Sequence, residues 1–116
     1  MTLRFDAIPV WQQSLELAGE IDLQARLFPR MELFNQTAQI KRAADSVVLH
    51  IAEGNTAQPI CTWKYFLGKA LRSAMEVRSC LFIARSSHYL AEEDFNRLQQ
   101  SYSQLCCLIA ALRDGL

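Results

Sequence analysis

The sequence predicts an all-α fold, an antiparallel up-down-up-down four-helix bundle. Three observations predict it. Apolar residues recur at steps of 3 and 4 along four successive segments, the period of a helix that buries one face. Glycine and proline are scarce, four and three in 116 residues, and the prolines and Gly54 fall at segment ends. No alternating run bounded by hairpin-turn residues points to a strand.

The first helix is predicted at 9–27. Pro9 suits a first helical position, where its missing N–H costs nothing. Val10, Leu17, Ile21 and Phe28 form its apolar stripe, interrupted by Ser14, and Phe28-Pro29 closes it. The second is predicted at 33–54, with Ile40, Ala43, Val47 and Ile51 on one face and Gly54 placed as its C-terminal cap. The third, at 59–87, opens at Pro59 and carries Trp63, Phe66, Ala70, Ala74, Val77, Leu81 and Ala84. The fourth, at 91–113, is the most regular: Phe95, Leu98, Tyr102, Leu105, Ile109 and Leu112 step by 3, 4, 3, 4 and 3, an a/d seam. Short connections favour antiparallel neighbours, and residues 1–116 have the length of a single domain.

Composition narrows the function classes. Twelve basic and 12 acidic side chains cancel, 51% of residues are apolar and only 21% are charged. Disordered chains show the opposite bias. A neutral chain does not coat nucleic acid through an overall field. No apolar run reaches the length of a membrane span and Met1–Asp6 lacks a signal-peptide pattern, so the cytoplasm is the expected compartment. Cys61, Cys80, Cys106 and Cys107 then read as reduced, small apolar side chains. Further apolar residues lie off the main stripes: Trp11, Leu15 and Ala18; Leu71, Met75 and Phe82; Cys107, Leu108 and Ala111. A small monomeric bundle keeps its outer faces polar, so these second stripes predict a homo-oligomer.

Chemistry-bearing patterns are few. Gly54 and Gly68 are isolated, so no phosphate loop is predicted. His50 and His88 have no second histidine or cysteine at ligand spacing, and Glu53 follows His50 in the reverse of a Glu-x-x-His order. No catalytic residue, metal or cofactor is expected. Arg42, Ser46, Leu49 and Glu53 share one helix face, with His50 beside them. On the neighbouring helix stand Arg72, Ser73 and Glu76. Arg42, Ser46, His50, Glu53, Ser73 and Glu76 are therefore read as a structural polar network or subunit contact, with Arg42–Glu76 as an ion pair between helices or subunits. Lys64, Lys69, Arg72, Arg78 and Arg85 follow neighbouring lines on helix three and are candidate nucleic-acid contacts, which an oligomer would multiply.

Several short motifs occur in a telling order: Val10-Trp11-Gln12, Phe28-Pro29, Glu32, Gln39-Ile40-Lys41-Arg42-Ala43-Ala44, Ser46, Ile51-Ala52-Glu53-Gly54, then Phe66-Leu67, Ala70, Ser73 and Glu76. In these the chain resembles, from about Val10 to Leu112, the four-helix bundle proteins of intervening sequences in large-subunit ribosomal RNA genes. Accessory variability proteins of diversity-generating retroelements are related bundles. The resemblance implies a ring-shaped homopentamer and no established enzyme activity. Through the retroelement relatives it also implies a partnership with RNA or DNA and a reverse transcriptase. The chain departs from the family pattern at His50, where asparagine is usual, and at Arg72-Ser73, where Gly-Ser is common. Residues 55–62 carry none of the cations that usually follow Glu-Gly.

Overall fold

The structure, a computed structural model, describes residues 5–55 and 59–116. Four α-helices account for most of them: α1 Pro9–Ala25, α2 Gln36–Asn55, α3 Ile60–Ser86 and α4 Glu92–Asp114. Short 3₁₀ turns at Phe5–Ala7 and Arg30–Glu32 precede α1 and α2. Pro9 stands at the start of α1 as predicted, and Pro59 is the extended residue before α3. The second helix begins three residues later than predicted because Arg30–Glu32 first closes a tighter turn.

The helices form a four-helix bundle of 46 × 23 × 20 Å. Sequential neighbours pack on one another, most extensively α2 on α3, and α1 and α4 close the ring with the smallest contact. Paired side chains run in opposite senses along neighbours. Gln36 bonds Ser87 while His50 faces Phe66 across α2 and α3. Met75, Arg78 and Phe82 of α3 meet Cys106, Gln99 and Phe95 of α4 in that order.

Most of each predicted seam lies in the core: Ile40, Ala43, Val47, Ile51, Ala70, Ala74, Val77, Leu81, Ala84, Leu98, Leu105 and Ile109 are all buried. Trp63, Phe66 and Leu112, near the bundle end, are only partly buried. The core is wider than the seams, since Ala44, Val48, Leu67 and Cys80 join it. Ser14, the interruption in α1, is also buried, and its hydroxyl donates to the Trp11 carbonyl at 2.7 Å. That local bond satisfies a polar group in an apolar seam.

Two helix ends differ from the reading above. Gly54 is no cap: it lies inside α2 and has no positive φ. A Cβ there would come within 2.5 Å of Trp63 Cε3 and 2.7 Å of Phe66 Cβ, so glycine serves close approach of α3 to the end of α2. The left-handed cap is instead at the end of α3, where His88 has φ 63°. Its N–H donates to the Arg85 carbonyl at 3.0 Å, and the Tyr89 N–H reaches back to the Ala84 carbonyl at 2.9 Å. These are the paired bonds of a Schellman motif, which usually has glycine at this position. A side chain held in the left-handed region costs about 1–3 kcal/mol, less what glycine loses in unfolded-state entropy. His88→Gly is therefore expected to stabilise the fold by about 1 kcal/mol, read as a higher urea midpoint with unchanged slope.

The connections are pinned to each other. Glu32, buried on the 3₁₀ turn, accepts from the Tyr89 hydroxyl at 2.8 Å and from Asn35 Nδ2 at 3.0 Å. The Glu32 bond holds the Tyr89 phenol above its ordinary range, since ionising it would remove the donated proton. On the bundle sides, Asp22 pairs with Arg26 and Lys41, both at 2.8 Å, and Arg97 of α4 pairs with Glu20 of α1. Among the described residues, no helix is long and apolar enough to cross a membrane.

Candidate functional site

The five candidate cations of α3 divide into two groups. Arg78 and Arg85 are engaged within the bundle. Arg78 Nε donates to Gln99 Oε1 at 3.0 Å, and Gln99 Nε2 donates back to the Arg78 carbonyl at 2.7 Å. That reciprocal clamp locks α3 to α4. Arg85 stacks 3.9 Å from the centroid of Phe95 and bonds Glu92 at 3.4 Å. Both guanidinium groups thus already have partners within the chain.

Lys64, Lys69 and Arg72 behave differently. With Tyr65, Gly68 and Leu71 they line a groove along the first half of α3, and Arg113 from the end of α4 closes it. Among the described residues, no carboxylate lines this groove. Lys64 and Arg72 have no ion-pair partner among the described residues. Lys69 lies 5.5 Å from the Tyr65 ring centroid, a cation–π distance. Asp114 takes only Arg113 Nε, at 3.1 Å. Tyr65 is 60% exposed, and the ring of Phe66 meets it edge-on at 5.4 Å. The result is four cations and one aromatic face at the end of a neutral molecule. Tyr65 and Arg113 were not among the candidates, because the cation line was drawn on one helix and α4 contributes only where it ends.

Among the described residues, the members of the predicted polar network are only partly brought together. Arg42 and Glu76 line one shallow groove with Phe34, Asn35, Ala38 and Gln39, but they form no ion pair and both are exposed. Ser46 and Ser73 are half-buried and make no side-chain hydrogen bond among the described residues. His50 Nδ1 is buried 3.4 Å from Glu53 Oε1, without hydrogen-bond geometry, and its ring lies against Phe66. The within-chain Arg42–Glu76 pair is thus corrected: the two side chains share a face but extend into solvent. Glu32 and Tyr89 instead provide the buried polar link, from 57 residues apart.

The four cysteines are free, but only Cys80 and Cys106 are buried; Cys61 and Cys107 are exposed and are not core residues. Burial pushes both buried thiols up, which favours their protonated form. Among the described residues no three His, Cys, Asp or Glu side chains gather as a metal site.

The family model for the 23S rRNA-intervening sequence protein matches residues 6–111, nearly the whole described bundle. The chain belongs to this family. A crystal structure of a protein of unknown function from the S23 ribosomal protein family of Bacteroides thetaiotaomicron superimposes with a TM-score of 0.82 at 25% identity. The match covers 90% of this chain and 97% of that one. No curated protein matches the chain. Several residues that carry the resemblance have plain structural tasks in this intervening-sequence family member. Gly54 admits Trp63 and Phe66, Glu32 ties the two connections, and Ala43, Ala44 and Ala70 are buried small residues in α2 and α3. The cation-poor stretch after Gly54 includes residues 56–58, which lie outside the described residues.

Proposed function

We propose that the protein is a non-enzymatic, cytoplasmic scaffold, a homopentameric ring of antiparallel up-down-up-down bundles. The observation that carries the reading is the exposure of large apolar side chains in one stretch of chain: Leu23 at 64%, Leu27 at 76%, Met31 at 82% and Phe34 at 92%. Apolar surface of this kind, on a chain with no net charge, calls for a covering partner. The second stripes add to it unevenly. Leu15, Met75, Phe82 and Leu108 are about half exposed, whereas Ala18 is buried and Trp11 and Leu71 pack against the core.

Native mass spectrometry and light scattering at micromolar concentration test the reading. A single closed assembly of five chains is expected, and a monomer at all concentrations would overturn it. Leu27→Glu with Phe34→Glu is expected to dissociate the assembly while helix content by circular dichroism is kept. An intact assembly in that variant would place the interface elsewhere.

A second reading, a nucleic-acid-binding accessory protein acting with a reverse transcriptase or ribosomal RNA, is supported by the cationic groove of Lys64, Lys69, Arg72 and Arg113, where Asp114 bonds Arg113 alone among these four. It predicts oligonucleotide affinity that falls steeply with salt.

A further inference from the structure

We propose that the groove between the start of α3 and the end of α4 holds single-stranded nucleic acid, with a base stacked on Tyr65 and flanking phosphates held by Lys64, Lys69, Arg72 and Arg113. This inference rests on the second reading above and names its ligand class and its residues. Cations alone track any polyanion; the exposed aromatic among them selects. Tyr65 stands between Lys64 and Lys69 on α3, is 60% exposed, and meets the ring of Phe66 in a T-shaped contact. Unpaired bases offer a free π-face to such a ring, whereas a duplex keeps its base faces stacked. Lys64 and Arg72 are two helical turns apart, about 12 Å along the axis, so the phosphate contacts lie on both sides of the stacking position. Leu71 in the groove wall gives apolar surface against which a sugar or base edge packs.

The rest of α3 argues for this segment over the others. Arg78 and Arg85 carry equal charge but are held by Gln99, Phe95 and Glu92. With a net charge of zero the chain has no net monopole to draw in a polyanion, so binding depends on these few local cations. Four phosphate contacts on a single strand give a salt slope of about −3 in log K against log salt. Affinity then falls about 50-fold between about 50 and about 200 mM salt.

Fluorescence anisotropy tests the assignment with the whole chain and labelled oligothymidylate, oligouridylate and a duplex of the same length. Wild type is expected to bind both single strands more tightly than the duplex, with the slope given above. Tyr65→Ala is expected to lose about tenfold or more, and Tyr65→Phe to keep the affinity. Lys64→Gln with Arg72→Gln is expected to lower the slope by about 1.4, while Arg30→Gln, at the other end of the bundle, leaves it unchanged. Binding that ignores the Tyr65 and Lys64/Arg72 variants overturns the groove but leaves the nucleic-acid reading standing. No binding at low salt overturns both. Equal affinity for the duplex overturns the single-strand assignment. Displacement by polyglutamate at equal charge concentration, with Tyr65→Ala inert, overturns it in favour of an acidic protein partner.

Discussion

Gly54→Ala is expected to destabilise the fold by about 2 kcal/mol, although alanine is the better helix former by about 1 kcal/mol. The added Cβ would sit 2.5 Å from Trp63 Cε3 and 2.7 Å from Phe66 Cβ. The Trp63 ring can swing aside, but Phe66 Cβ is one bond from the α3 backbone, so relief requires the helices to part. Overpacking of this kind costs up to about 3 kcal/mol, and the propensity gain offsets roughly a third. Gly19 in α1 supplies the control, since a Cβ there meets nothing within 4 Å. Gly19→Ala should therefore stabilise by about 0.5–1 kcal/mol. Urea unfolding of the two variants beside wild type separates propensity from packing. Alanine stabilising at both sites would show that α2 and α3 do not approach so closely at Gly54.

The same glycine shows what was legible in the sequence. A glycine at the end of a periodic segment gives one signal for two causes, a left-handed cap and a close helix approach. Only the position of Trp63 and Phe66 decides between them. The α4 seam was legible because Phe95, Leu98, Tyr102, Leu105 and Ile109 each obey a local period, and all are buried. The His88 cap was not, because its signature residue is missing and its bonds are backbone bonds. Arg42 and Glu76 line one groove, yet face-sharing does not fix whether long side chains meet or extend into water. The cation line yielded Lys64, Lys69 and Arg72; Arg113 joined them only through the register of α3 against α4. Leu23, Leu27, Met31 and Phe34 escaped notice because they straddle a helix end, where periodicity breaks.

Tyr102→Phe is expected to leave the fold as stable or about 1 kcal/mol more stable near neutral pH, and far more stable in alkali. Tyr102 is wholly buried on the α4 seam, and its hydroxyl has no hydrogen-bond partner among the described residues. A desolvated hydroxyl without a partner opposes folding, so replacing it with hydrogen removes a cost while the ring keeps its packing. Burial pushes the phenol well above its ordinary value, and the negative charges of Glu20 and Asp45 push it further the same way. In the unfolded chain the phenol titrates near its ordinary value of about 10. Above that pH the unfolded state releases a proton that the folded state retains. Stability therefore falls as pH rises, by about 1.4 kcal/mol per pH unit from this group alone. Cys80, Cys106 and Tyr89, also shifted upward, lower the stability of wild type and variant alike over the alkaline range. The informative quantity is thus the difference between the two proteins. Urea midpoints should differ little at pH 8 and diverge steadily above about pH 10, with the phenylalanine variant the more stable. A variant weaker than wild type at pH 8 would mean that the hydroxyl is satisfied by a buried water. A constant difference through the alkaline range would mean that the phenol ionises without unfolding, and that the centre of the bundle admits solvent.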